Sequence, residues 1–217
     1  MIFLSDELIF PPVTLADENG LLAIGGDLSP DRLLLAYKSG IFPWYNPGEP
    51  IVWYSPNPRM VLYPNKFKVS KSMRKILQKG NFNVSFNQNF EQVISQCKNI
   101  KRKDALGTWI TNEMEQAYMQ LHNLGYAKSV EVWQNNELVG GLYGIDLGTI
   151  FCGESMFSKV SNASKIAFYH LVQKLEKEKY KLIDCQVYNP FLASLGAEEI
   201  GRHEFIDILK REYLNKK

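Results

Sequence analysis

Residues 129–154 read SVEVWQNNELVGGLYGIDLGTIFCGE. Ser129–Trp133 is rich in β-branched and aromatic side chains, Asn135-Asn136 suits a tight turn, and Leu138–Ile145 is the returning partner, so this stretch is a hairpin. Thr149–Glu154 follows as a third strand. Ser161 or Asn162 then caps a long helix that runs through Lys177. Lys181–Val187 is a fourth strand, a short helix reaches Leu195 and Gly196, and Phe205–Leu214 is a final helix. Antiparallel strands in series, followed by helix, strand and helix, make a mixed α/β (α+β) domain.

Toward the N-terminus, Thr111 starts an amphipathic helix through His122, with Gly125 just past its end. Asn89 caps a helix toward Cys97, Phe82–Phe86 alternates like a strand, and Ser70 caps a helix ending at Gly80. The first sixty residues differ in kind. They hold eight of the ten prolines, and Gly20, Gly25, Gly26, Gly40 and Gly48 punctuate them further. One helix is clear there: Ser29 is its N-cap, Pro30 its first residue and Gly40 its stop. Ile51–Tyr54 reads as a strand. A small N-terminal unit is therefore expected at 1–62, followed by a larger domain at 63–217. The element order of that domain resembles the acetyltransferase-like (GNAT-like) fold, with a mixed sheet.

Composition is that of a globular chain: 45% hydrophobic and 22% charged residues can build a sizeable core. No run of about 18 apolar residues would span a membrane. Met1–Phe10 carries Asp6 and Glu7 and has no basic start, so it does not read as a signal peptide. Cys97, Cys152 and Cys185 are odd in number and form no C-x-x-C pair, and His122, His170 and His203 do not cluster. Neither a disulfide framework nor a zinc site is expected, and the compartment is expected to be reducing and cytoplasmic. Charge is unevenly spread. Between Asn65 and Lys103 stand Lys66, Lys68, Lys71, Arg74, Lys75, Lys79, Lys98, Lys101, Arg102 and Lys103 against Glu91 alone, a net +9, while the rest of the chain carries −7. Such asymmetry points to a polyanionic partner, although solvated helix faces have the same composition.

Two places carry chemistry. On the strand through Leu182–Val187, Asp184 and Gln186 are two apart and share a face, an acid beside an amide in an otherwise apolar strand. Glu154 follows Gly153 at a strand end between Phe151 and Met156, where glycine permits close approach of a backbone or ligand. An edge strand and a surface turn would account for the same residues. Cys152 and Cys185 flank both places and read as buried, inert thiols. Acyl-CoA acetyltransferases hold the pyrophosphate with Q/R-x-x-G-x-G/A before the long helix. Here that loop is Ser158-Lys159-Val160-Ser161-Asn162-Ala163, without the glycine pair, so the donor is not expected to be acyl-CoA.

Taken together, several stretches resemble the leucyl/phenylalanyl-tRNA–protein transferase family. They are Gly20 through Ser29 (GLLAIGGDLS), Gly40-Ile41-Phe42-Pro43-Trp44, Trp53 through Arg59 (WYSPNPR), Gly107-Thr108-Trp109-Ile110-Thr111, Phe151 through Ser158, and Leu182 through Val187. They extend over nearly the whole chain, and their joint order is what is specific. The resemblance implies transfer of leucine or phenylalanine from leucyl- or phenylalanyl-tRNA to acceptor proteins beginning with Lys or Arg, which creates an N-terminal degradation signal. It implies no metal, nucleotide or CoA cofactor, and a cytoplasmic enzyme is expected, as a monomer. By matching residue, Trp44, Trp109, Leu142, Phe151, Gly153, Met156 and Ile183 would form the site for the donor side chain. Asp184, Gln186 and Glu154 would be the catalytic polar residues. Gln186 would accept a hydrogen bond from the attacking amine, Asp184 would hold the Gln186 side chain, and Glu154 would draw the acceptor's cation or its amine. Lys66, Lys68, Lys71, Arg74, Lys75 and Lys79 would bind tRNA. Strand alternation points Ile183 away from Asp184 and Gln186, which a bulge or splayed strand would reconcile. An acyl-CoA-dependent N-acetyltransferase and a non-catalytic RNA-binding module are the competing readings.

Overall fold

The computed structural model describes residues 2–99 and 109–214. In chain order it contains β1 (Phe3–Leu4), β2 (Leu21–Gly25), α1 (Pro30–Lys38), β3 (Phe42–Pro43), β4 (Val52–Tyr54), β5 (Arg59–Leu62), α2 (Lys71–Gln78), β6 (Asn83–Phe86), α3 (Phe90–Asn99), α4 (Asn112–Asn123), β7 (Ala127–Gln134), β8 (Glu137–Asp146), β9 (Ile150–Ser158), α5 (Ala163–Lys177), β10 (Leu182–Gln186), α6 (Pro190–Ser194), β11 (Glu198–Ile200) and α7 (Arg202–Leu214). The mixed α/β class expected from the sequence is what forms. Four strands make a small sheet in the order β1-β2-β4-β3, and seven make the main sheet in the order β11-β5-β10-β9-β8-β7-β6.

Local chemistry explains most boundaries. The Ser29, Ser70 and Thr111 side chains each accept the backbone N–H of the residue three positions on, replacing a missing helical partner. Asn135 and Asn136 both adopt positive φ (52° and 64°), as a two-residue hairpin turn requires. Two expectations needed correction. Asn162 sits at the start of α5 with φ 71° and makes no side-chain cap. Instead Ser158 Oγ accepts from the Ser164 amide at 3.2 Å, because the chain doubles back there and brings the end of β9 under the helix. The third strand also continues to Ser158, so Glu154 lies inside it and not at its end.

The antiparallel series β6 to β9 is followed by the crossover helix α5, which returns the chain as β10, parallel to β9. Strand alternation then divides the core. Val130, Val132, Leu142, Phe151 and Ile183 face Ile166, Phe168, Leu171 and Leu175 of α5. Tyr143, Ile145, Cys152 and Leu182 face the opposite layer, built from Val93 and Ile94 of α3, Met114 and Tyr118 of α4, Tyr37 of α1 and Phe205 of α7. Burying each such side chain contributes roughly 1.5–3 kcal/mol. The N-terminal elements thus pack behind the sheet, opposite α5.

At Gly144 an added Cβ would lie 2.2 Å from the Cys152 carbonyl oxygen and 2.5 Å from the Phe151 ring, whereas at Gly153 it would meet only the Asp184 oxygen at 3.6 Å. Gly144→Ala is expected to cost about 1–3 kcal/mol by forcing β8 and β9 apart. Gly153→Ala should stay within about 0.5 kcal/mol of wild type, both read from urea-unfolding midpoints at constant m-value.

Candidate active site

β9 and β10 pair side by side through Ile150–Leu182, Phe151–Ile183 and Cys152–Asp184, and no further. Just past that point both strands carry an irregularity. On β9, Gly153 opposes Gly144 and Ser155 opposes Tyr143, which leaves Glu154 as an extra residue. On β10, Asp184 opposes Val61 and Gln186 opposes Met60, which leaves Cys185 extra, and Gln186 takes a φ of 65°. A bulge bends its strand and re-aims the neighbouring side chains. With two bulges abreast, the strands part and a cavity of about 490 Å³ opens between them. That is a size suited to a small ligand group.

The cavity lining includes Trp44, Trp109, Leu142, Phe151, Gly153, Met156 and Ile183, every residue singled out from the sequence for a donor pocket. Glu154, Asp184 and Gln186 line it too. The Ile183 difficulty is resolved by the bulge. Ile183 keeps its place on the α5 face and Asp184 its place opposite, and the cavity opens where the strands diverge, so it reaches both. Trp44 stands at the rim, 46% exposed. Phe168 and Leu171 of α5 and Phe191 and Leu192 of α6 also line the wall. Sequence reasoning missed them because their apolar spacing is that of ordinary core positions. Of the matched stretch around Trp109, Gly107 and Thr108 lie outside the described residues.

The polar groups have firm partners. Asp184 is about 1% exposed and forms a bidentate ion pair with Arg59, Nε to Oδ1 at 2.8 Å and one terminal nitrogen to Oδ2 at 2.6 Å. Arg59 also donates to the Gly40 carbonyl at 3.2 Å, with its guanidinium 4.8 Å and 4.7 Å from the Phe42 and Phe205 ring centres. Asp184 Oδ1 accepts the Gln186 backbone N–H at 3.0 Å. The expectation that Asp184 holds the Gln186 side chain is therefore corrected: Asp184 holds its backbone. The side chain is held by Glu154, whose Oε1 accepts from Gln186 Nε2 at 2.9 Å. Glu154 Oε2 accepts from the Tyr118 hydroxyl at 3.0 Å, and Tyr118 is in turn bonded to the Tyr37 hydroxyl. Burial raises the Glu154 carboxyl to about 7, against the opposing effect of its hydroxyl and amide donors. Burial likewise pushes the Cys152 and Cys185 thiols up, which makes them poor nucleophiles at neutral pH. Arg59 was not assigned a role from sequence, although a lone Arg leading the apolar run Met60-Val61-Leu62 was a signal that a buried acid needed it.

Lys68, Lys71, Arg74, Lys75 and Lys79 are exposed on and beside α2 and form no ion pair among the described residues. Lys66 is exposed but bound to Glu198 at 2.5 Å. Lys101, Arg102 and Lys103 lie outside the described residues. The basic segment joins the cavity wall directly, since the Lys68 amide donates to the Leu195 carbonyl at 2.8 Å, just beyond α6.

A family model described as "Leucyl/phenylalanyl-tRNA protein transferase" matches residues 61–210, and the model of that family's N-terminal domain matches residues 26–57. A Flavobacterium johnsoniae protein named leucyl/phenylalanyl-tRNA–protein transferase is 65% identical over 210 residues, covering 97% of this chain and 99% of the relative. A protein of the same name from Christiangramia forsetii is 59% identical, covering 96% and 100%. Among solved structures, a GCN5-related N-acetyltransferase from Kribbella flavida aligns with a TM-score of 0.39 at 10% identity, covering 78% of this chain and 60% of that one.

Removing Arg59 leaves a buried, uncompensated carboxylate. Arg59→Met is expected to cost about 3–5 kcal/mol in urea unfolding, and Arg59→Met with Asp184→Leu should recover much of that loss. Glu154 is expected to make stability depend on pH. Its carboxyl is raised on folding, so the folded form binds the extra proton between the ordinary carboxylate range and about 7. The stability it contributes is full in acid and is lost as pH rises through 7. Glu154→Gln should therefore gain on wild type as pH is raised from 5 to 8, measured by unfolding midpoints at each pH.

Proposed function

The chain belongs to the leucyl/phenylalanyl-tRNA protein transferase family, and on that premise we propose that it moves leucine or phenylalanine from the charged tRNA to the N-terminal Lys or Arg of an acceptor protein. It is an aminoacyltransferase. The observation that carries the finer reading is one cavity with an apolar wall and a carboxylate–amide pair at the divergence of β9 and β10.

The wall suits the donor side chain. Leu142, Phe151, Met156, Ile183, Phe168 and Leu171 offer apolar surface without a directional polar group. Such a pocket discriminates by about 1–3 kcal/mol per methylene, so some methionine should be accepted as well. The donor ester is already activated. The attacking α-amine, with a reference pKa of about 7.7–8.0, is partly neutral near pH 7.5 and needs orientation more than a strong base. Gln186 donates its NH2 to Glu154, so its carbonyl oxygen is the end left to accept an amine N–H. The amine nitrogen attacks the ester carbonyl, the carbon–oxygen bond to the terminal ribose breaks, and the amine's proton balances the departing oxygen. The Asp184 charge is matched by Arg59, so Glu154 is the cavity carboxylate without an ion pair among the described residues and the group that draws the acceptor's ammonium.

Lys68, Lys71, Arg74, Lys75 and Lys79 supply a phosphate-binding face for the tRNA, with Lys66 at its edge. A small N-terminal unit followed by a transferase domain is supported by the separate four-stranded sheet, although β5 (Arg59–Leu62) already belongs to the main sheet, which puts the boundary before Arg59 and not after residue 62. The product, a protein beginning with leucine or phenylalanine, is read as a degradation signal. The enzyme is taken as a cytoplasmic monomer, and no described helix is long and apolar enough to cross a membrane.

Incubation with radiolabelled leucyl-tRNA and an Arg-starting peptide should give labelled peptide, and a labelled product from no Lys- or Arg-starting peptide would sink the reading. Reversing Lys71, Arg74 and Lys75 to Glu is expected to raise KM for leucyl-tRNA about tenfold or more at low salt, while a leucyl-adenosine donor stays within about twofold. An equal effect on both donors would refute the phosphate contacts.

A further inference from the structure

Gln186 is useful to an incoming amine only in one of its two amide orientations. Its NH2 is the donor end and its carbonyl the acceptor end, and a half-turn about the last side-chain bond exchanges them. The Gln186 backbone is fixed by the bulge and by the Asp184 carboxylate, and neither contact determines which end faces the cavity. The only side-chain hydrogen bond of Gln186 among the described residues is Nε2 to Glu154 Oε1. Orientation of the amide therefore depends on Glu154 presenting an acceptor at Oε1. A carboxylate does so on both oxygens. A neutral carboxyl with its proton on Oε1 would donate to the amide oxygen, turn Gln186 over and aim its NH2 at the amine.

What stands behind Glu154 bears on this. Its second oxygen accepts from Tyr118 of α4, and Tyr118 is hydrogen-bonded to Tyr37 of α1. Both tyrosines are essentially inaccessible, at 0% and 1% exposure, and neither reaches the cavity. Each phenol has one proton. With Tyr118 donating to Glu154, the Tyr37 proton points to Tyr118 or to Glu154 itself, which also lies within its reach, and either way the two phenols favour the ionised carboxylate. Burial pushes both phenols well above their ordinary range, so they keep those protons at any working pH. The remaining groups around Glu154 are the Asp184–Arg59 pair, the Cys152 thiol and the Tyr143 phenol beside Tyr118.

We propose that Tyr37 and Tyr118 are positioning residues for the transfer reaction, which act through Glu154 to keep the Gln186 carbonyl oxygen facing the acceptor amine. This rests on the aminoacyl-transfer reading above. Neither tyrosine touches a substrate. Their effect is to extend the pH range over which Gln186 stands the right way round, and losing it should appear as a displaced acid limb and not as a loss of donor binding.

The test is the pH dependence of kcat from about 5.5 to 9, with leucyl-tRNA and an Arg-starting peptide both saturating, for wild type, Tyr118→Phe and Tyr37→Phe. Titration of the acceptor amine is common to all three enzymes, so the difference between their profiles is what is read. Tyr118→Phe should move the acid-side midpoint up by about one pH unit, because a hydrogen bond to a charged group is lost. Tyr37→Phe should move it in the same direction. Both should approach wild-type turnover, within about twofold, on the alkaline side and keep KM for leucyl-tRNA, and Glu154→Gln should abolish the displaced limb altogether. If one tyrosine variant does not fold by circular dichroism, the other reads the same limb. Turnover lowered equally at every pH with unmoved midpoints would show that the phenols only pack, and would overturn the inference while leaving aminoacyl transfer intact. Absence of transfer by the wild-type enzyme would overturn both.

Discussion

The buried ion pair between Arg59 and Asp184 is the contact on which the site depends. Two buried charges are tolerated because the geometry is bidentate and each makes a further hydrogen bond to the backbone. The spare Arg59 donor reaches the Gly40 carbonyl just after α1, and its guanidinium lies beside Phe42 of β3 and Phe205 of α7. Asp184 accepts the Gln186 amide where the strand bulges. One interaction thereby ties the N-terminal unit and the last helix to the end of β10. Oil-like packing alone would leave β10 free to shift by a residue. A charge pair cannot move without exposing an uncompensated carboxylate.

Two adjacent β-bulges then turn a continuous sheet into a cavity. Pairing of parallel strands ends at Cys152 and Asp184, and each strand spends one extra residue just beyond. One of those residues is Glu154. A residue released from the ladder is re-aimed, and Glu154 turns back to meet Gln186 across the gap. The polar pair is thus a consequence of strand divergence. The same divergence exposes the apolar side chains of β8, β9 and α5 as the cavity wall. The chemistry asked of this arrangement is modest, since an ester bond supplies the driving force and the protein has to orient an amine beside it.

The distribution of charge complements that arrangement. The basic face is carried by α2 and the segment leading into it, and a backbone hydrogen bond from Lys68 to Leu195 joins that segment to the cavity's α6 wall. Exposed lysines and an arginine would confer affinity for a polyanionic partner without reading sequence.

Much was determined by the sequence alone. Hydrophobic periodicity and caps such as Ser29, Ser70 and Thr111 are local signals, so the helices, the hairpin at Asn135-Asn136 and the mixed α/β class were legible from neighbouring residues. The seven residues proposed for a donor pocket came from a resemblance to a family, and the structure gathers all seven around one cavity. Strand β5 and the partner of Asp184 were not legible. Arg59 and Asp184 are 125 positions apart, and only the order of strands in the main sheet makes them neighbours. Bulges were equally hidden, because an extra residue is defined by the strand opposite it. For that reason the sequence could put Asp184 beside Gln186, and only the tertiary structure could assign the Gln186 backbone to Asp184 and its side chain to Glu154.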